Sequence, residues 1–187
     1  CGGESEEQFQ KLWPADLHLI GKDSIRFHTI YWPIFLMALG EPLPKQIFGH
    51  PWLLFGTDKM SKSKGNVIYA DDMIRRFGLD GVRYYLLSEM SYQNDGSITY
   101  ENFITRYNTD LANTLGNLVS RTVAMTKKYF DGVIPSPAGD EGPDAELKAA
   151  AKNAYASFTE NMDTFHAADA LDAVFTLLRR TNKYIDE

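Results

Sequence analysis

The sequence predicts an α/β region followed by an all-α region, with the boundary near residue 95. In the first region, short apolar runs at residues 17–20 and 47–55 alternate with segments of helical spacing. In the second region, apolar residues recur at helical spacing along three consecutive long segments. We therefore expect residues 1–95 to form one domain and residues 96–187 to form a helical bundle.

The first predicted strand leads into a helix. Gly21 ends the apolar run, which is typical of a short buried strand. Asp23 or Ser24 can cap the helix that follows, because short polar side chains accept hydrogen bonds from the free amides of a first turn. This helix is predicted over residues 25–39, and Gly40 is its predicted stop.

A second strand, a basic loop and two short helices complete the α/β region. The apolar run over residues 47–55 is predicted to be one strand. The basic loop follows at residues 59–66. Helical spacing resumes over residues 71–77 and 81–88, which we interpret as two short helices separated by Gly78.

Three helices are predicted for the all-α region. Thr99 can cap a long helix that reaches about Tyr129. A loop rich in glycine and proline follows at residues 131–143. Two further amphipathic helices are predicted over residues 143–161 and 166–186.

Composition limits the class of protein. The chain has 187 residues, of which 44% are hydrophobic and 24% are charged, as in an ordinary globular protein. Cys1 is the only cysteine, so no internal disulfide can form, and no Cys/His cluster has the spacing of a zinc site. No apolar stretch reaches membrane-spanning length and no secretory leader is visible, so we expect a cytoplasmic protein without a membrane partner. The net charge of −6 neither supports nor excludes an RNA partner.

The ends of the sequence predict a fragment. Residues 1–14 are polar and without regular pattern, and the first residue is Cys1 rather than methionine. The last helical pattern runs to Glu187 without a glycine, proline or charge run to stop it. We therefore expect a longer parent protein, whose oligomeric state depends on the missing C-terminal region.

The most informative motif is the basic loop Lys59-Met60-Ser61-Lys62-Ser63-Lys64-Gly65-Asn66. It follows an apolar strand, and its lysines alternate with small residues. Ammonium groups, serine hydroxyls and loop amides can together wrap a polyphosphate, and glycine lets the backbone approach closely. A solvated basic loop is the alternative interpretation.

A second candidate site begins at Gly21, directly after the first predicted strand. A glycine there, followed by Asp23 at a helix start, is the arrangement with which open parallel sheets bind nucleotides. The Asp23 carboxylate can accept hydrogen bonds from ribose hydroxyls, and His28 would lie just over one turn further along the helix. The alternatives are that Asp23 only caps the helix and that His28 is an ordinary half-buried histidine.

These motifs resemble the methionyl-tRNA synthetases, a family of class I aminoacyl-tRNA synthetases. The Lys-Met-Ser-Lys-Ser run at residues 59–63 is similar, letter for letter, to the class I signature loop. Residues 13–16, 21–33 and 106–118 resemble the methionine enzymes in order and in spacing. The resemblance covers essentially the whole chain. It implies the C-terminal part of a Rossmann-like nucleotide-binding domain, followed by an incomplete anticodon-binding helical bundle.

The resemblance implies roles for individual residues of the catalytic part. Asp23 would bind the ribose of ATP, and backbone groups around Leu53 would lie against the adenine. Phe27 and His28 would line the methionine side-chain pocket. Lys62 would be the catalytic lysine that makes the main contact to the departing pyrophosphate. The other loop residues that would bind ATP and shape the loop are Lys59, Ser61 and Ser63. Lys59 would also be catalytic.

The same resemblance implies an RNA-binding role for the long helix. Asn117 and Arg121 are four residues apart and so share one face of a helix. In the family this pair reads the edges of anticodon bases, a task that suits amide and guanidinium groups. A solvated helix face is the alternative. Three basic side chains could add phosphate contacts along the same helix: Arg106, Lys127 and Lys128.

As part of an intact enzyme, the chain would activate methionine with ATP and Mg²⁺ and transfer it to tRNA(Met). A lysine that meets the charge developing on pyrophosphate lowers the barrier of this reaction. The family's second ATP motif, of the His-Ile-Gly-His type, and its zinc-bearing insertion are absent from this sequence. We therefore expect the isolated chain to be inactive. The alternatives are a class I synthetase for another aliphatic amino acid and a non-catalytic tRNA-binding module.

Three positions depart from the family pattern. Pro51 and Ser24 stand where glycine and an apolar residue are common. Gly81 opens a helix where a better helix former is usual, at a cost of about 1 kcal/mol in a helix interior. None of these residues removes a functional group, so we interpret them as variation.

Overall fold

The chain divides into two units, Cys1–Trp52 and Leu53–Glu187. The computed structural model describes residues 5–61, 63, 65–89, 91–92, 94–137 and 142–187. Strands and helices both occur up to Ile98. In the described part of the chain after Ile98, the regular elements are all helical. The boundary predicted near residue 95 lies inside the second unit, so the division into residues 1–95 and 96–187 stays a prediction about functional domains.

A two-stranded parallel sheet organises the first unit. Strand β1 (His18–Gly21) pairs with β2 (Ile47–His50), which confirms a strand that ends at Gly21. Helix α1 (Glu6–Leu12) precedes the sheet, so the prediction of an irregular start at residues 1–14 was wrong for this stretch. Ser5 caps α1, a helix of seven residues that buries none of them.

The predicted helix over residues 25–39 begins earlier and changes its hydrogen-bond pattern along its length. Gly21 occupies the cap position without a side-chain cap, so Asp23 and Ser24 lie inside the first turn instead of capping it. Gly40 ends the helix in the left-handed conformation, as predicted. The segments in chain order are a 3₁₀ turn (Lys22–Ser24), a π-helical turn (Phe27–Tyr31) and α2 (Trp32–Leu39).

The apolar run over residues 47–55 forms two strands, so the prediction of a single strand was wrong. Strand β2 ends before Pro51, which has no amide hydrogen to donate to a strand ladder and therefore favours a break. Strand β3 (Leu53–Phe55) belongs to a separate three-stranded sheet. It pairs antiparallel with β4 (Asp58–Lys59) and parallel with β5 (Gly96–Ile98).

Helices make up the rest of the second unit. Thr99 caps the predicted long helix by accepting a hydrogen bond from the Asn102 amide, and helical geometry continues to Phe130. The central segment of this helix, Tyr107–Gly116, has π-helical hydrogen bonds, which the sequence did not predict. The α-helices are α3 (Ala70–Phe77), α4 (Leu79–Glu89), α5 (Tyr100–Arg106), α6 (Asn117–Phe130), α7 (Pro143–Asp163) and α8 (Ala167–Tyr184). None of the helices in the described part of the chain is both long and apolar enough to cross a membrane.

The hydrophobic core of the second unit anchors the basic loop. Phe103 is fully buried, with its ring 4.2 Å from that of Phe77 and 4.8 Å from that of Tyr85. Met60, inside the loop, and Ile68, just after it, pack against this core. Both ends of the loop are therefore fixed by apolar contacts. The buried residues of the core are Met73, Val82, Tyr85, Ile98 and Phe103.

Gly81, which has a low helix propensity, allows close packing between two helical segments. A Cβ atom at this position would lie 2.8 Å from Cε2 of Tyr107. Gly81 itself is buried in α4. The glycine thus permits the close approach of α4 to the π-helical segment, which offsets its cost as a helix residue.

Candidate functional site

A cavity of about 430 Å³ in the first unit is walled mainly by rings. Phe27 and His28, the two residues predicted for an amino-acid side-chain pocket, both line it. The sequence analysis missed the other lining residues, although Tyr31 and Trp32 follow the predicted pair at the four-residue spacing of one helix face. The missed residues are His18, Tyr31, Trp32 and Phe35.

Contacts from two sides fix the ring of His28. Its Nδ1 lies 3.0 Å from the carbonyl oxygen of Ser24. Because a carbonyl oxygen only accepts, Nδ1 carries the hydrogen in this contact. The ring of His18 meets that of His28 edge to face, with 5.9 Å between the centroids.

Trp13 supports two residues of the cavity wall. Its ring centroid lies 6.1 Å from that of His18 and 6.1 Å from that of Trp32. Its indole N–H donates a hydrogen bond to the Pro42 carbonyl oxygen at 2.9 Å, and Phe9 of α1 stacks on its ring. Among the described residues, His18 Nδ1 and Trp32 Nε1 are buried without a hydrogen-bond partner. The wall therefore contains two polar atoms whose hydrogen bonding is incomplete.

Asp23 lies at the carboxyl end of β1. A Cβ atom at Gly21 would lie 2.6 Å from Oδ1 of Asp23, so the carboxylate folds back onto the glycine. Gly21 in turn lies opposite His50 of β2. A carboxylate at this edge of a parallel sheet is suitably placed for a sugar hydroxyl, so the ribose-binding role of Asp23 stays a prediction that the geometry permits.

The basic loop closes on itself in the second unit. Lys59 ends β4, and the hydroxyl oxygens of Ser61 and Ser63 are 2.8 Å apart. Gly65 has a φ of 67°, in the left-handed region that favours glycine. Lys62, predicted to contact pyrophosphate, lies outside the described residues.

The residues predicted to bind ATP and methionine are divided between the two units. Asp23, Phe27 and His28 belong to the first unit. Leu53, which begins β3, and the basic loop belong to the second unit. Among the residues that the structure describes, no group of three or more His, Cys, Asp or Glu side chains could hold a metal ion.

Asn117 and Arg121 share a face of α6 and contact the same residue of α8. Asn117 Nδ2 is 3.4 Å from Asn182 Oδ1, and Arg121 Nη1 is 3.4 Å from the Asn182 carbonyl oxygen. These contacts confirm the predicted common face. Arg121 also forms an ion pair with Asp186, and their hydrogen bond raises the pKa of Arg121 and lowers the pKa of Asp186.

Asp110, in the π-helical segment, is a buried carboxylate that the sequence analysis missed. It is 5% exposed, and its Oδ2 accepts hydrogen bonds from the Tyr84 hydroxyl at 2.7 Å and from Arg106 at 3.4 Å. Arg106 also lies 3.6 Å from Glu89, so two carboxylates engage it. Burial and the hydrogen bond to Asp110 raise the pKa of Tyr84 well above its ordinary value. The signal was available, because Asp110 follows the buried Phe103 by seven residues and therefore lies on the same helix face.

A comparison with models of protein families identifies the class of protein to which this fold and the basic loop belong. The family model described as "tRNA synthetases class I (M)" matches residues 2–123. Among curated relatives, methionine–tRNA ligase of Lactiplantibacillus plantarum is 56% identical over 99% of this chain, which spans 27% of that protein. The corresponding enzyme of Clostridium perfringens is 54% identical over 100% of this chain, which spans 29% of that protein.

Solved structures of the same enzyme are close to this fold. Mycobacterium tuberculosis methionyl-tRNA synthetase in complex with methionyl-adenylate has a TM-score of 0.92 and 43% identity, covering 99% of this chain and 37% of that one. Its free form has a TM-score of 0.86 and 40% identity, covering 96% of this chain and 34% of that one. The chain therefore belongs to the methionyl-tRNA synthetase family of class I. It spans between a quarter and a third of the length of the curated relatives that it matches.

Proposed function

We propose that this chain is part of an enzyme that activates methionine with Mg²⁺–ATP and transfers it to tRNA(Met), in the cytoplasm where translation takes place. The observation that carries the proposal is the ring-walled cavity that contains Phe27 and His28. Aromatic walls suit a thioether side chain, because sulfur makes favourable contacts with ring edges. The relatives named methionine–tRNA ligase and the neighbour bound to methionyl-adenylate support the same substrate.

In the adenylation step, an oxygen of the methionine carboxylate attacks the α-phosphorus of ATP. The bond from that phosphorus to the oxygen that bridges it to the β-phosphorus breaks, and pyrophosphate leaves. A carboxylate is already ionised near neutral pH, so no protein base is needed. The work of the protein is to orient the reactants and to stabilise the charge that develops on the leaving group.

The chain supplies groups for each part of this task. Asp23 binds the ribose, backbone groups at Leu53 lie against the adenine, and Phe27 and His28 hold the methionine side chain. Lys62 meets the pyrophosphate charge as it develops. The loop residues that assist in ATP binding are Lys59, Ser61 and Ser63. Lys59 also takes part in catalysis.

Recognition of tRNA uses the α6 face. Asn117 and Arg121 read the edges of unstacked anticodon bases, since both side chains offer paired polar groups. Their contacts with Asn182 orient them before RNA binds. This arrangement supports a specific role over a solvated helix face.

The test is amino-acid-dependent ATP–pyrophosphate exchange with the complete gene product, beside its Lys62→Ala variant. We expect exchange with methionine alone and a loss of at least about a hundredfold in kcat for Lys62→Ala, the size typical of a lost charge-stabilising contact. Lys152→Ala, an exposed lysine of α7, is the matched control and should retain wild-type rates.

Two outcomes would contradict the proposal. Exchange with another aliphatic amino acid would favour a different class I synthetase. No exchange with any amino acid, in a folded protein that still binds tRNA, would favour a non-catalytic tRNA-binding module.

A further inference from the structure

Asn66 connects both limbs of the basic loop through one side chain. Its Oδ1 accepts a hydrogen bond from the Ser61 amide at 2.8 Å, and its Nδ2 donates to the Lys59 carbonyl oxygen at 3.4 Å. A backbone N–H only donates and a carbonyl oxygen only accepts, so these partners fix the orientation of the Asn66 amide. The two bonds bridge five and seven residues of the loop.

Gly65 supports this connection through its backbone conformation. Its φ of 67° lies in the region that L-residues avoid, and, apart from its chain neighbours, no described residue has an atom within 4 Å of the position that a Cβ would occupy. The glycine is therefore required by the turn and not by space. The turn directs Asn66 back towards Ser61, where the bond between the Ser61 and Ser63 hydroxyls adds a further link.

The described residues in the middle of the loop are polar or glycine, so apolar packing does not hold them. Ser63 and Gly65 are exposed, and apolar packing against the core is provided by Met60 and Ile68, towards the two ends. The shape of the intervening segment therefore depends on hydrogen bonds within it. Two of these, from a single side chain, are made by Asn66.

We propose that Asn66 is a positioning residue for the adenylation step, which deepens the proposed function and rests on it. Asn66 holds Ser61, and a hydrogen bond joins the hydroxyls of Ser61 and Ser63, the two residues that flank Lys62 in the sequence. A loop that is already ordered loses less entropy when it engages the leaving pyrophosphate. The residue therefore acts on kcat, while methionine binding depends on other residues.

The kinetic test compares Asn66→Ala and Asn66→Asp in the complete gene product by methionine-dependent ATP–pyrophosphate exchange. We expect Asn66→Ala to lower kcat about tenfold, which corresponds to about 1.4 kcal/mol, and to leave the methionine KM within about twofold. Asn94→Ala and Asn94→Asp, at an exposed position in the same unit, are the matched controls and should retain wild-type kinetics.

A second measurement reads the loop without using activity. Amide hydrogen exchange at Ser61 should be about tenfold faster in Asn66→Ala than in the wild type, because its acceptor is removed. Asn66→Asp keeps an acceptor for Ser61 but loses the donor to Lys59, so Ser61 should stay protected while kcat still falls.

The outcomes separate this inference from the proposed function. A wild-type protein without methionine-dependent exchange would overturn the proposed function, and with it the adenylation role of Asn66. An active wild-type protein whose kcat is unchanged by Asn66→Ala would overturn the role of Asn66 alone. Equal Ser61 exchange rates in wild type and Asn66→Ala would show that Asn66 does not hold the loop.

Discussion

Ring contacts hold most of the candidate residues of the first unit, whereas hydrogen bonds and ion pairs hold the polar candidate residues described in the second unit. In the first unit, His28 and Trp32 meet the rings of His18 and Trp13. In the second unit, Ser61, Asn117 and Arg121 form hydrogen bonds with polar partners. Ring contacts are weakly directional and tolerate small displacements, but hydrogen bonds weaken steeply when their angles change. A cavity walled by ring contacts can therefore adapt to a ligand. A site held by hydrogen bonds instead has its side chains oriented before a ligand binds.

Burial sharpens the same contrast. Phe27 and Phe35 are 61% and 59% exposed, although both are large and apolar. Asp110, by contrast, is 5% exposed although it is charged. Removing a ring should therefore change ligand affinity more than it changes the free energy of unfolding. Removing the buried carboxylate should change the free energy of unfolding more than ligand affinity.

The largest expected effect is the loss of stability in Asp110→Ala. The Tyr84 hydroxyl and Arg106 would each lose a buried partner, so we expect the free energy of unfolding to fall by about 3 kcal/mol. Urea denaturation of the complete protein, followed by circular dichroism, measures the change. Asp163→Ala, at an exposed position in α7, should stay within about 0.5 kcal/mol of the wild type, and equal losses in both variants would contradict the interpretation.

The ring-walled cavity is tested by Trp32→Ala. Removing the indole opens the wall, so we expect the methionine KM to rise at least about tenfold, or about 1.4 kcal/mol, with the ATP KM within about twofold. Trp32→Phe keeps a ring and should lie between the wild type and Trp32→Ala. Steady-state ATP–pyrophosphate exchange measures both constants, and an equal rise in both would show that Trp32 does not act on the amino-acid side chain.

The polar pair on α6 is tested by Arg121→Lys. Lysine keeps the charge but lacks the planar guanidinium that makes two parallel hydrogen bonds, so we expect tRNA(Met) affinity to fall about tenfold. Filter binding at fixed salt measures the affinity. Lys127→Ala should cause a smaller loss that shrinks further at high salt, because it removes at most one phosphate contact. A wild-type affinity of Arg121→Lys for tRNA(Met) would show that the positive charge at position 121 is sufficient for binding.

The smallest expected effect is a pH dependence of stability in the second unit. The pKa of Tyr84 is raised in the folded protein, so the folded state prefers the neutral phenol. Its contribution is complete below the unfolded pKa of about 10 and is lost as pH rises from there towards the folded-state pKa. Urea midpoints between about pH 8 and 11 should therefore fall more steeply in the wild type than in Tyr84→Phe. Equal slopes would contradict the assignment to Tyr84.

Much of the fold could be predicted because its stop and start signals are local. Thr99 caps its helix and Gly40 ends its helix, as the sequence indicated. The run over residues 47–55 misled the prediction, because apolar content continues across Pro51 while strand pairing does not. The π-helical pattern of Tyr107–Gly116 was not predictable from periodicity, since its apolar spacing still fits an ordinary helix.

The candidate site was predictable where residues lie close together in sequence, and not where their partners are distant. Phe27 and His28 line one cavity, as expected for neighbours on a helix. The contacts of Asn117 and Arg121 with Asn182 span 65 and 61 residues, so no local pattern could reveal them. His18 was missed for a related reason, because it reaches the cavity from a different element, the strand β1.

The bond between Tyr84 and Asp110 has a consequence for how this part of the chain can change in evolution. Replacing either residue alone leaves a buried polar group without its partner, which is costly. Replacing both with apolar residues of similar shape is close to neutral. Arg106 would still be paired with Glu89 after such a double change. Across related sequences, positions 84 and 110 should therefore covary, with a tyrosine and an aspartate retained or lost together.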